Sequence, residues 1–119
     1  MRGNLKRKPF NAYVLDQLRG LEDVECRPMF GCFGLSSDAV FFAIICDDRL
    51  FFRTDDVSRQ RYIKMGMVPL QFREKQSVNS YYEVPDSILK SADKVADWAR
   101  TAIQCQRDRL ARKEKRAKR

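Results

Sequence analysis

Four cysteines, two pairs of adjacent aspartates and one Gly-x-x-Gly are the parts of this 119-residue chain through which chemistry could run. The cysteines are Cys26, Cys32, Cys46 and Cys105, and the chain has no histidine. Without imidazole there is no His-based triad, no His-ligated zinc or iron and no imidazole pH switch. No Cys-x-x-Cys occurs and no second ligand type completes a zinc site, so the spacing predicts no metal centre. All four cysteines read as reduced thiols, mostly buried as small hydrophobes, with a redox role for one of them as the alternative.

Asp47-Asp48 and Asp55-Asp56 invite a metal or acid–base reading. Adjacent side chains in a turn point different ways, however, and turns and helix caps both favour aspartate, so those roles are expected instead. Gly31 and Gly34 lack the strand-then-helix context and the Lys and Ser/Thr of a phosphate-binding loop. A bulge, or a crossing point where a side chain would clash, is the expected role. Arg27 sits beside Met29 and Phe30 and is expected to pair with a carboxylate such as Glu83, with a role as an exposed contact residue as the alternative. No serine or cysteine has a base to activate it. The sequence therefore assigns no catalytic residue, no metal and no cofactor, and the chain is read as a non-enzyme.

Charge is distributed unevenly. The total is +8, from 24 Lys and Arg against 16 Asp and Glu. Residues 1–8 carry four bases and no acid, and residues 107–119 carry eight bases against Asp108 and Glu114. The stretch 9–106 has 12 bases and 14 acids, so the body is nearly neutral. This divides the chain into a basic arm (1–8), one domain (9–106) and a basic helical tail (107–119). The tail cations Arg107, Arg109, Arg112, Lys113, Lys115, Arg116, Lys118 and Arg119 are the candidate contacts to nucleic acid or an acidic partner, non-specific in sequence and salt-dependent. The longest apolar run, Ala39 to Cys46, is eight residues, far below the roughly 20 a spanning helix needs, so no membrane role is expected. With no apolar signal segment in MRGNLKRKPF, the expected location is cytoplasmic.

Periodicity supplies the elements that would position these residues. Phe10, Tyr13, Val14, Leu18 and Leu21 fall at helical spacing after Pro9. Val24 to Cys32 reads as one strand with Val24, Cys26, Phe30 and Cys32 on one face, and Ser36-Ser37-Asp38 as a loop. Val40 to Ile45 is apolar throughout, Asp47-Asp48 is a tight turn, and Leu50 to Arg53 is the next strand. A helix over 57–65, capped by Thr54 or Asp55 and stopped at Gly66, precedes strands at 70–73 and 80–84, linked by a turn over 75–79. After Pro85, a helix capped by Ser91 carries Val95, Trp98, Ala99, Ala102, Ile103, Gln106 and Leu110 as one stripe, with the last eight or nine residues expected to fray. The aromatics Phe41, Phe42, Phe51, Phe52, Phe72, Tyr81 and Tyr82 lie in apolar runs and are expected in the core, not on a base-stacking surface. The order α-β3-α-β2-α, without βαβ alternation, predicts an α+β two-layer sandwich: a five-stranded antiparallel sheet with helices on one face.

In their order and spacing, several segments resemble the N-terminal domain of the TfoX/Sxy family, regulators of bacterial natural competence. These are RPMFGCFGL (27–35), Phe41-Phe42-Ala43, LFFRTDD (50–56), GMVPLQF (66–72), YYEVP (81–85) and Trp98-Ala99. The residues carrying the motif are Arg27, Met29, Phe30, Gly31, Gly34, Tyr82, Val84 and Pro85, and Cys32 stands where relatives often have glycine. The resemblance implies the same sandwich, shared with type III secretion chaperones. It also implies a role in transcriptional control of competence through contact with the cyclic-AMP receptor protein. The expected function is thus a non-catalytic regulatory protein that acts by protein–protein contact, with the tail adding DNA or RNA affinity. The alternative is a chaperone-like or homodimerising scaffold without nucleic-acid binding.

Overall fold

The computed structural model describes residues 9–72 and 76–117. Helix α1 spans Pro9–Gln17, and four strands follow: β1 Val24–Met29, β2 Cys32–Ser37, β3 Val40–Cys46 and β4 Arg49–Arg53. Helix α2 (Arg59–Lys64) leads to β5 (Pro69–Phe72) and β6 (Gln76–Glu83), then to the short α3 (Asp86–Leu89) and the long α4 (Ala92–Ala117). The strands form one antiparallel sheet in the order β1-β2-β3-β4-β6-β5.

The sheet has six strands where the sequence predicts five. The segment read as a single strand, Val24 to Cys32, turns at Phe30-Gly31 and splits into β1 and the start of β2. Three consecutive hairpins each have a two-residue connection: Phe30-Gly31, Asp38-Ala39 and Asp47-Asp48. All six of these residues have positive φ, the condition of a type I′ turn, whose twist matches that of the strands it joins. Aspartate and glycine tolerate that backbone. Phenylalanine and alanine do so at a cost.

All helices cover one face. Val14 of α1 and Leu18 just after it, Tyr62 of α2, Ile88 and Leu89 of α3, and Val95, Ala99 and Ala102 of α4 pack with Leu35, Ala43, Ile45, Leu50, Phe52 and Tyr82 of the sheet. Between α2 and α4 the Tyr62 ring meets Trp98 edge-on at 4.9 Å, and the Arg61 guanidinium lies 4.0 Å over Trp98. Among the described residues, the cluster on the opposite face contains strand residues only: Cys32, Ile44, Phe51, Leu70 and Tyr81, with Met29, Phe41, Cys46 and Val78 against it. Cross-strand alternation therefore sends Phe42, Phe52 and Tyr82 under the helices and Phe41, Phe51 and Tyr81 to the bare face. The Phe72 side chain lies outside the described residues.

Caps set the helix starts. The Ser91 hydroxyl accepts from the Lys94 N–H at 3.3 Å. Before α2, Asp55 Oδ1 accepts from the Ser58 N–H at 2.7 Å while Ser58 Oγ accepts from the Asp55 N–H at 3.1 Å. Helix α2 starts later and ends sooner than predicted. Helix α4 does not fray after Leu110 but continues to Ala117. Among the described residues no helix is long and apolar enough to cross a membrane.

Candidate functional site

The first hairpin gathers five of the eight motif residues. Arg27 and Met29 end β1, Phe30 and Gly31 form the turn, and Gly34 lies in β2 opposite Arg27. Gly31 takes φ +83°, and a Cβ there would meet nothing within 4 Å, so its role is backbone conformation alone. Gly34 has the other glycine role: a Cβ on it would lie 2.5 Å from Cε1 of Phe41, whose ring crosses β2 at that point. Neither glycine belongs to a phosphate loop. The remaining motif residues are elsewhere: Tyr82 and Val84 are buried, and Pro85 begins α3, its carbonyl accepting from the Ile88 and Leu89 N–H groups. Their role is to join β6 to the helical layer.

Phe30 does not share a strand face with Val24, Cys26 and Cys32 as the strand reading predicts. It stands 89% exposed at the tip of the turn, with φ +49°. A bulky side chain in the left-handed region costs roughly 1–2 kcal/mol, and here no burial offsets it. Arg27 pairs with Glu25 at 2.8 Å and not with Glu83, whose carboxylate takes Arg49 at 3.4 Å. Arg27 and Glu83 occupy one cross-strand row, but three strands separate β1 from β6.

Two of the cysteines contradict the all-thiol expectation. Cys32 and Cys46 are joined by a disulfide between β2 and β3, with Cα atoms 4.7 Å apart, while Cys26 and Cys105 are outside any disulfide. One extra residue in β3 makes this possible. The register passes from Ser36↔Phe41 to Leu35↔Ala43, so Phe42 is a bulge, and one step beyond Phe33↔Ile45 Cys32 faces Cys46. Beside the disulfide, on the bare face, lies a cleft of about 330 Å³ lined by Cys46, Asp47, Arg49, Phe51, Val68, Pro69, Leu70 and Gln71.

Among the described residues, four titratable groups are shifted by their surroundings. Burial pushes the Cys105 thiol up; it lies 3.6 Å from Ser58 Oγ. Hydrogen bonding from the Ser58 N–H holds the Asp55 carboxyl below its usual range. Burial raises the Tyr62 and Tyr81 hydroxyls, Tyr81 against the opposing charges of Arg53 and Arg109. Asp47 and Asp48 form a turn, and Asp56 pairs with Arg59 at 3.2 Å. No group of three or more Cys, Asp or Glu that could hold a metal occurs among the described residues.

The tail is helix, not coil, through Ala117. Arg107, Arg112, Lys113 and Lys115 are exposed and Arg109 is half-buried; the Arg116 side chain, Lys118, Arg119 and the arm over 1–8 lie outside the described residues. At 3.6 residues per turn the exposed cations spread around more than half the helix circumference. Asp108 and Glu114 are interleaved with them. Such a cylinder of charge suits phosphates or an acidic surface and offers no single face for reading base edges.

Sequence reasoning missed the exposure of Phe30 and the cysteine pair. The available signal was Phe-Gly between two β-prone runs, since glycine at the second position of a two-residue turn is the commonest mark of a hairpin. Residues 16–106 match the TfoX N-terminal domain, and the chain belongs to that family. No curated protein matches it.

Proposed function

Starting from the chain's place in the TfoX N-terminal domain family, we propose that it is a non-catalytic regulatory module acting by protein–protein contact in the transcriptional control of competence. The partner in this reading is the cyclic-AMP receptor protein on its promoter, and the basic end of α4 adds sequence-independent affinity for the DNA. The observation that carries the reading is Phe30, an aromatic held outside the fold on a costly backbone. Aromatics dominate the binding energy of protein interfaces when they seat in a partner's pocket. The exposed cations of α4 supply the second contact, whose strength falls with salt as counterions are released.

Fluorescence anisotropy with labelled promoter DNA, with and without the cyclic-AMP receptor protein, tests both parts. Phe30→Ala is expected to weaken binding to the protein–DNA complex about ten-fold or more and to leave binding to bare DNA unchanged. Removal of 107–119 is expected to weaken binding to bare DNA and flatten its log–log salt dependence. Wild-type binding by both variants overturns the proposal. The cleft on the bare face favours a second reading, a chaperone-like or dimerising scaffold. Under it, truncation leaves partner capture intact, and DNA binding is negligible at physiological salt.

A further inference from the structure

We infer that Cys46 is a site of thiol–disulfide exchange, reduced by an anionic low-molecular-weight thiol of the glutathione type, with Cys32 as the leaving sulfur. A thiolate displaces one sulfur of a disulfide by approaching along the S–S axis from the side away from the other. The two sulfurs here are not equally open to that approach. Cys32 is buried, 6% exposed, in the strand-only cluster. Cys46 is half-buried and lines the 330 Å³ cleft.

Strand order decides the direction. Cys32 lies on β2 and Cys46 on β3, while the cleft is built from β4 and β5 on the far side of Cys46. A thiolate entering the cleft therefore meets Cys46 Sγ from the side opposite Cys32, as displacement requires. Arg49 sits directly across the β3–β4 ladder from Cys46 and faces the same cleft. Its guanidinium bonds Glu83 at 3.4 Å on one side and remains half-exposed on the other, where it can meet the carboxylate of an incoming thiol. Asp47 opposes it as the one acid in the lining among the described residues. The crosslink is also dispensable to the register it spans, since five other residue pairs hold β2 against β3. It can open without the sheet coming apart.

The balance is as follows. The thiolate RS⁻ attacks Cys46 Sγ, forming RS–S(Cys46) and breaking the bond to Cys32, which leaves as a thiolate and takes a proton. A second RS⁻ attacks the bound RS sulfur, giving RSSR and the Cys46 thiolate. Two thiols are oxidised to one disulfide as the protein disulfide is reduced to two thiols.

The test is peptide mapping by mass spectrometry after acid quench of the full chain exposed to reduced glutathione. The expected result is a mixed disulfide at Cys46 and none at Cys32. Incubated with glutathione disulfide, Cys32→Ser is expected to take a glutathionyl group at Cys46 about ten-fold faster or more than Cys46→Ser takes one at Cys32. Arg49→Ala is expected to slow reduction by glutathione several-fold and to slow reduction by mercaptoethanol, whose thiolate carries no carboxylate, clearly less. A mixed disulfide at Cys32, equal rates at the two sulfurs, or ready alkylation of both cysteines in air-oxidised protein overturns the assignment. The wild-type quench reads the attacked sulfur directly, so the result does not depend on either serine variant folding.

Discussion

Phe51 and Phe52 are neighbours on β4, both buried, and they enter packing of different kinds. Phe52 lies under the helices, its ring 5.8 Å from that of Phe42 and part of a cluster fed by all four helices. Phe51 lies on the bare face, where, among the described residues, strand side chains alone pack against it. There, Phe41 and Tyr81 lean together at 6.1 Å, Arg53 lies 5.6 Å over the Tyr81 ring, and Arg49 with Glu83 closes one margin. Long cationic side chains lay their apolar stems along such a surface and keep their charge in water. One face is thus sealed by a second layer of structure. The other is sealed one side chain thick, and that is the face with the cleft, the disulfide and the approach to the Phe30 turn.

The largest effect should separate the two faces directly. Phe52→Ala is expected to cost about 3–5 kcal/mol, because the helices above it cannot close over the space. Phe51→Ala should cost less, since neighbouring side chains can settle and water can enter from the cleft. Urea unfolding of the two variants checks this, and equal losses would break the contrast between the faces. Next in size is Gly34→Ala. Its Cβ meets the Phe41 ring, and crowding of this kind costs roughly 1–3 kcal/mol. Adding Phe41→Ala should recover most of that loss. Because the two residues touch, a double-mutant cycle should give a coupling energy well away from zero.

What was legible in the sequence follows the same division. The helix-covered face announces itself, because Val95, Trp98, Ala99 and Ala102 repeat at helical spacing and Ser91 caps their helix. The Asp47-Asp48 turn is equally plain, since aspartate accepts the backbone a type I′ turn demands. The Phe30 turn was hidden because phenylalanine argues for strand, so an alternating pattern ran straight through a reversal. The cysteine pair was hidden for a subtler reason. Every position from Val40 to Ile45 is apolar, so nothing marks Phe42 as the extra residue, and without that bulge Cys46 would not face Cys32. The candidate site is therefore less legible than the fold, because it depends on one turn and one bulge whose residues lack the usual signature.

Phe30→Gly tests whether the exposed turn is maintained against stability. Glycine relieves the left-handed penalty of about 1–2 kcal/mol and gives back roughly 0.5–1 kcal/mol in chain entropy. Thermal unfolding should show no loss and a gain of up to about 1.5 kcal/mol, while partner affinity falls as for Phe30→Ala. A substantial loss of stability would mean that the aromatic ring supports the fold, moving Phe30 from the contact surface to the packing.

The smallest effect concerns Asp55, which neither face claims. Its carboxylate accepts from the Ser58 N–H at 2.7 Å, and that bond holds its pKa below the ordinary 3.8, against a weaker opposing push from burial. A carboxyl whose folded pKa lies below its unfolded one stabilises the fold fully above the unfolded value and loses that contribution as pH falls through the folded one. Stability attributable to Asp55 should therefore be constant near neutrality and decline only below about pH 4. Asparagine at this position can still accept from Ser58 but cannot titrate, so Asp55→Asn should cost a few tenths of a kcal/mol at neutral pH. The gap between wild type and variant should narrow as pH falls below about 4 in urea unfolding. A gap independent of pH would mean that the Ser58 N–H serves the charged and neutral forms alike, and that the start of α2 is set by the Ser58 hydroxyl alone.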